Sequence, residues 1–289
     1  MLLKRKESEL RNESAQSRAN VSDFHIPAKR KTDRQSQVMA AVLNANSEPF
    51  SSLIMRMSDA EIFPYINDML RYIGPAVDEN KGRFAQISDS GFSVVFEESC
   101  EGALLSAITM CQHISKNKNE FFDFSNFSVG ISYGLVYTSP VGYGDYITPL
   151  TVSECTDLAR YLQLVAPKYG AHILITESVA ERIPGFFSKF NSRCLGNIIF
   201  SKSNQSEALY DVFDGDLIGQ KNSKRRGKMF FETGVRLFQN KKYDQARSYF
   251  IEILKSDRDD SAAKEYLFLC DSCILGDEKS AERTNIEVW

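Results

Sequence analysis

The stretch GRFAQISDSGFSVVF, residues 82–96, decides the fold class. Its second half alternates apolar and small residues, with Phe92, Val94 and Phe96 in the two-residue period of a strand. The central Asp89-Ser90-Gly91 is typical of a tight turn. The stretch is therefore predicted to form a β-hairpin.

The composition sets limits on what the chain can be. With 289 residues and 43% hydrophobic content, it can bury one sizeable core and a smaller module. A net charge of -3 gives no support for nucleic-acid binding. We find no run of about 18 apolar residues, the length that a membrane span needs. The opening MLLKRKESELRN lacks the apolar segment of a signal peptide, so we expect a cytoplasmic protein without nucleic-acid or membrane partners.

Strands and helices interleave around the hairpin from residue 37 to residue 216. Val38–Leu43 is predicted to be a buried strand, and Ser58 with Glu61 forms a capping box that opens a helix. Pro75 is expected to end that helix. Further helices are predicted at 102–114, 157–165 and 177–182, and further strands at 127–139, 172–176, 197–201 and 208–213. This order predicts an α/β or α+β domain with a mixed sheet covered by helices.

The regions outside this domain differ in composition. Residues 1–36 are polar and without periodicity, which predicts a flexible arm. Residues 217–227 are expected to form a linker, because Lys221–Lys228 carries five basic residues in eight. The same run could instead be a basic patch for an anionic partner. Residues 277–289 remain as a tail.

Residues 228–276 are predicted to form a small α-helical extension. Two amphipathic helices, broken at residues 240–242, precede a third at Ser261–Leu275. The first two helices resemble a tetratricopeptide repeat in the spacing of Gly234, Leu237, Tyr243, Ala246 and Phe250. A single repeat is too short to stand alone, so we expect it to dock on the main domain or on a protein partner. Cys270 and Cys273 have no second ligand pair and are read as buried structural residues.

Residues 37–216 resemble the class III adenylate and guanylate cyclases in several segments that occur in the right order. These segments are AAVLNANSEPFSSL (40–53), INDML (66–70), the hairpin 82–96, VGISYGLVYTSPVGYGDY (129–146), VSECTDLARYLQLVAPKYGAHILIT (152–176) and RCLGNIIFSKSNQSEALYDV (193–212). The resemblance implies the ferredoxin-like α+β cyclase fold and a role in signal transduction. It also implies head-to-tail pairing that builds nucleotide sites between two chains.

The metal positions implied by the resemblance have lost their charge. Members of the family hold two divalent ions, Mg or Mn, with two aspartates. Here the first position falls on Asn46 and the second on Ser90. Neutral oxygens bind hard dications weakly compared with carboxylates. If the hairpin is shifted by one residue, Asp89 takes the second position instead.

The remaining family positions are also altered. The purine-selecting pair falls on Gln86 and Leu150. The ribose-orienting Asn falls on Asp157, and the Arg that stabilises the transition state falls on Tyr161. Arg160 lies one position earlier, about 100° away around the helix.

These replacements predict a degenerate cyclase domain that works as a regulatory or scaffold module and needs no cofactor. We expect a homodimer, or a heterodimer with another cyclase-like chain. One alternative is a weak or heterodimer-dependent cyclase that converts ATP or GTP with Asp89, Asn46 and a divalent ion. Another is a sensor that binds ATP or GTP without turnover.

Overall fold

A computed structural model describes residues 35–46, 55, 57–88, 91–116, 124–143, 146–200, 206–276 and 286–288. The chain divides into two compact units. One unit comprises residues 36–138 and 150–289, and the other includes residues 139–149. The predicted arm, Asp89, Ser90 and most of the predicted tail lie outside the described residues.

The described strands form a mixed sheet. They are β1 (Ser36–Asn46), β2 (Arg83–Ser88), β3 (Gly91–Phe96), β4 (Ser128–Tyr143), β5 (Tyr146–Val152), β6 (Ile173–Thr176), β7 (Ser192–Phe200), β8 (Ser206–Val212) and β9 (Ile286–Val288). The strand order is β2-β3-β1-β4-β6-β8-β7-β9, and β5 pairs with β4. The β4–β6 and β7–β9 pairs are parallel, whereas β1 is antiparallel to both β3 and β4. The mixed sheet, with the β2–β3 hairpin at one edge, confirms the α+β prediction.

The described helices cover both faces of this sheet. They are α1 (Asp59–Glu79), α2 (Cys100–Lys116), α3 (Glu154–Val165), α4 (Glu177–Ala180), α5 (Phe186–Lys189), α6 (Ile218–Gln239), α7 (Tyr243–Ser256) and α8 (Ser261–Ile274). The capping box is present, since the Glu61 carboxylate accepts from the backbone N–H of Ser58 at 2.8 Å. The expected end at Pro75 is wrong, because α1 continues for one more turn. Ala76 and Val77 in that turn are fully buried, so packing outweighs the missing backbone donor.

Alternate residues of β1 face two different layers. Leu43 and Ala45 lie in a first core with α1 and α2. Val42 lies in a small cluster with Ala159 of α3, on the opposite face. A Cβ on Gly130 of β4 would collide with the backbone oxygen of Ala159. A glycine at this position therefore lets α3 lie directly on the sheet.

A second core joins α3 and the sheet to helices α6, α7 and α8. Phe231, Phe250 and Tyr266 from these helices pack in it with Leu158 of α3 and Leu174 of β6. The helical extension therefore docks on the main domain, one of the two expected arrangements. Its likeness to a tetratricopeptide repeat stays a prediction.

The linker expected at residues 217–227 is wrong. These residues form the first half of α6, which runs without a break to Gln239. Lys224, near the middle of the basic run, is 7% exposed and belongs to a cluster of buried charges. A run of basic residues is usually solvated, but here one of its members points into the protein.

Candidate functional site

The end of β1 lies close to the first residue of β3. Asn46 is the last residue of β1, is buried, and pairs with Ser128 of β4. Gly91, the first residue of β3, has a φ of 112°, and a Cβ there would lie 2.9 Å from the Cβ of Asn46. Only glycine fits this close approach without strain. Asp89 and Ser90 precede Gly91 in the sequence but lie outside the described residues, so the choice between them stays open.

The described donors at this site do not fit a pair of divalent ions. Asn46 supplies one neutral amide oxygen at the first family position. Across the described part of the chain, no group of three or more His, Cys, Asp or Glu residues is arranged to hold a metal. Divalent ions such as Mg²⁺ gain most of their binding from carboxylate oxygens. Asn46 by itself therefore does not make a site for two divalent ions.

A buried polar layer lies beneath α3, next to Asn46. The amide nitrogen of Asn44 donates to the hydroxyl of Ser93 at 2.8 Å. The amide nitrogen of Gln163 donates to the hydroxyl of Ser128 at 2.9 Å. The amide oxygens of Asn44 and Gln163 have no partner among the described residues. This polar layer was not predicted from the sequence, although Asn44 and Asn46 within the mostly apolar strand β1 indicated it.

The two purine positions are on separate strands. Gln86 is exposed on β2, just after a bulge that follows Phe84. Leu150 is an exposed apolar residue on β5. Strands β3, β1 and β4 lie between β2 and β5 in the pairing order. The two positions therefore lie on non-adjacent strands of the sheet.

Helix α3 carries the remaining family positions. Ser153 caps it and accepts from the backbone N–H of Cys155 at 3.1 Å. Asp157 and Arg160 are exposed, whereas Tyr161 is half-buried and packs against the second core. Burial raises the pKa of Tyr161 above its ordinary value. At the position where the resemblance would place the family's Arg, the chain therefore has an uncharged residue that packs against the second core.

Close to the second core, the structure contains a buried charge cluster that sequence reasoning did not find. Its members are His172, Arg193, Asp211, Asp216, Lys224 and Asp260. The Nζ of Lys224 lies 3.0 Å from Asp211 and 2.7 Å from Asp216. Arg193 contacts Asp211 at 3.0 Å and Asp260 at 2.6 Å. The cluster therefore ties strands β7 and β8 to α6 and to the start of α8.

Two of these carboxyl groups are held in the charged form. Burial alone would raise the pKa of Asp216, but Lys224 and His172 keep it below its ordinary value. Burial also opposes the charge of Asp260, but Arg193 lowers its pKa below the ordinary value. Asp260 also caps α8 by accepting from the backbone N–H of Ala263 at 3.0 Å. These buried charges lie within ion-pair distance of opposite charges, while the Nη2 of Arg193 has no hydrogen-bond partner among the described residues. Removing one member of such a buried pair is costly.

The sheet order, the hairpin against β1 and the helix α3 over β4 are the fold of class III nucleotide cyclase catalytic domains. A bacterial light-regulated adenylyl cyclase has this fold, with a TM-score of 0.57 and 14% identity over 75% of this chain and 67% of that one. The dimeric guanylyl cyclase domain of the RhoGC fusion protein from the fungus Blastocladiella emersonii gives a TM-score of 0.50 and 16% identity, over 62% of this chain and 97% of that one.

The sequence is also related to adenylate cyclases. It is 22% identical over 219 residues to the terminal-differentiation-specific adenylate cyclase of Dictyostelium discoideum, covering 72% of this chain. It is 26% identical over 151 residues to an adenylate cyclase of Anabaena cylindrica, covering 49% of this chain. The matched region spans only 10% and 30% of those two proteins. No family model matches the chain.

None of the described helices combines the length and the apolar character that crossing a bilayer requires.

Proposed function

We propose that this chain is a degenerate class III cyclase module that acts in signal transduction as a dimeric regulator or scaffold. The half-buried Tyr161 on α3 carries the proposal. Its ring packs against the second core, so the family's transition-state cation is replaced by a side chain with a structural task. Loss of one preorganised charged donor typically lowers a rate by about a hundredfold or more.

The other described positions support the same conclusion. Asn46 brings a neutral amide to the metal position, and Asp157 brings a negative charge to a position that faces ribose and phosphates in the family. A carboxylate near a triphosphate adds repulsion. Because several roles are changed together, restoring one residue is not expected to restore activity.

Exposed apolar side chains support dimer formation. Large apolar residues on β1, β4, β5 and α3 are more than a third exposed: Met39, Tyr137, Leu150, Val152 and Leu164. Interfaces between subunits are rich in such residues. The Blastocladiella guanylyl cyclase domain with this fold is described as dimeric.

A cyclase assay on the purified full chain tests the proposal. ATP and GTP are supplied separately with Mn²⁺, and the cyclic product is measured by mass. We expect no product above the blank from protein that is folded and dimeric. The matched variant Asn46→Asp with Ser90→Asp should also be inactive, because Asp157 and Tyr161 remain. Clear product from the unmodified chain would refute the proposal.

A second candidate is a weak or heterodimer-dependent cyclase, and the sequence relationship to two adenylate cyclases favours it. In this case Asp89 and Asn46 would hold the divalent ion. If product is found, Asp89→Asn should abolish it, whereas Ser90→Ala should leave it unchanged. A sensor without turnover would instead be stabilised against heating by ATP or GTP with Mn²⁺ while forming no product.

A further inference from the structure

A cavity of about 460 Å³ lies along α6, and its lining includes none of the family positions Asn46, Asp157 and Tyr161. We call it the α6 cavity. Residues that line it include Phe187 of α5, Tyr210 of β8, and Lys228, Met229, Glu232 and Arg236 of α6. Its volume falls within the range of small-ligand sites, about 300–1,000 Å³.

Two walls of the α6 cavity are apolar and exposed. Phe187 is 63% exposed and Met229 is 79% exposed, so both side chains keep most of their surface in water. The ring of Phe187 lies 5.5 Å from the ring of Tyr210 in an edge-on arrangement. An apolar group that covered Phe187 and Met229 would remove apolar surface of both side chains from water.

The charged wall is a stripe on α6. Lys228, Glu232 and Arg236 are spaced four residues apart and therefore share one face of the helix. Glu232 accepts from the backbone N–H of Cys194 at 3.0 Å and lies 3.8 Å from Lys228. Arg236 forms no ion pair with another described residue. The stripe therefore has a net positive charge, and its unpaired cation is at Arg236.

A neutral hydroxyl completes the wall opposite α6. Burial raises the pKa of Tyr210 to about 12, so at neutral pH its hydroxyl keeps its proton and can donate. Thr233 adds a second hydroxyl to the lining. The α6 cavity therefore combines two hydroxyl donors and the guanidinium of Arg236 with the apolar side chains of Phe187 and Met229. This combination suits a ligand that has a flat apolar part and a negatively charged group.

We propose that the α6 cavity binds a small aromatic anion, with its anionic group at Arg236 and its ring against the exposed side chains of Phe187 and Met229. The anionic group is a carboxylate or a phosphate, since a guanidinium pairs with either. Glu232 repels the anion from the middle of the stripe and keeps it at the Arg236 end. The proposal does not depend on the function proposed above.

Calorimetric titration of the full chain tests this binding. The probes are 3-phenylpropionate for the carboxylate and adenosine 5′-monophosphate for the phosphate. Their uncharged counterparts, 3-phenyl-1-propanol and adenosine, show whether the charge matters. We expect saturable binding of at least one anion, about tenfold or more tighter than its uncharged counterpart.

Variants locate the site. Arg236→Gln should weaken binding of the anion by about tenfold or more, because it removes the unpaired cation. Arg226→Gln is the matched control, since Arg226 is exposed on the same helix and hydrogen-bonds Ser223 at 3.3 Å, outside the cavity lining. It should change the affinity by less than about twofold.

The outcomes divide clearly. Binding of only one anion identifies the carboxylate or the phosphate as the recognised group. Absence of saturable binding by both anions to folded protein overturns the proposal. Equal affinities in the unmodified chain and in Arg236→Gln overturn it as well.

Discussion

Replacing Lys224 by Met tests whether the buried charge cluster stabilises the fold. Lys224 contacts Asp211 at 3.0 Å, Asp216 at 2.7 Å and the backbone oxygen of Gly170 at 2.9 Å. Methionine has a similar length but no charge, so both carboxylates lose a partner while the packing is largely kept. Breaking a buried pair costs about 3–5 kcal/mol. Because Asp211 keeps Arg193 and Asp216 keeps His172, we expect a loss at the lower end, about 3 kcal/mol.

Urea unfolding of the full chain at pH 7, followed by circular dichroism, measures this loss. Arg226→Met on the exposed side of the same helix is the control and should change the unfolding free energy by about 0.5 kcal/mol or less. A loss below about 1 kcal/mol in Lys224→Met would refute the argument. Two buried carboxylates would then have lost an ion-pair partner with almost no loss of unfolding free energy.

The pH dependence gives an independent check on the same cluster. Asp216 has a lowered pKa in the folded state, so its stabilising contribution is present above the pKa of an unfolded aspartate, about 3.9. The contribution is lost as the pH falls through the lower folded value. Without Lys224 the pKa of Asp216 rises, so the unfolding free energies of the variant and the unmodified chain should converge below about pH 4. A difference that is constant from pH 7 to pH 3 would contradict this account.

Three further predictions concern packing. Gly130→Ala should lower the unfolding free energy in urea by about 3 kcal/mol, because the new methyl collides with the backbone of α3. Gly74→Ala has open space around it and should leave the unfolding free energy unchanged or raise it. Burial raises the pKa of Cys270 to about 12, so its thiol should resist iodoacetamide at pH 8 until urea is added. Rapid labelling of Cys270 in the native protein would contradict its burial. Tyr161→Arg should lower the unfolding free energy by about 1–2 kcal/mol, because it places a charge against the second core, whereas Tyr161→Phe should leave it nearly unchanged. Equal unfolding free energies of the two variants would show that residue 161 does not contribute to packing.

Local patterns were enough to predict most elements of the main domain. The alternation at Phe92, Val94 and Phe96 is strand β3, and the capping box at Ser58 begins α1. The break at residues 240–242 separates α6 from α7. These features depend on neighbours in sequence, so sequence alone contains their cause.

Features that depend on distant residues were missed. Lys224 looked solvated because its own segment is basic, and its partners Asp211 and Asp216 lie on the preceding strand and loop. The α6 cavity brings Phe187 together with Arg236, almost fifty residues away. At the family positions, the resemblance predicted which elements hold the residues. It did not predict that Tyr161 would serve the packing of a second core.

The second core has a consequence for how this chain can be divided. Leu158, Leu174 and Leu209 on the sheet side are covered by residues that come after position 216. A gene fusion or truncation that treats Asp216 as the edge of the domain would leave this apolar surface bare and take Asp260 away from Arg193. The truncated chain would expose this apolar surface to water and would be prone to aggregation. The folding unit therefore extends past Asp216 and includes α6, α7 and α8.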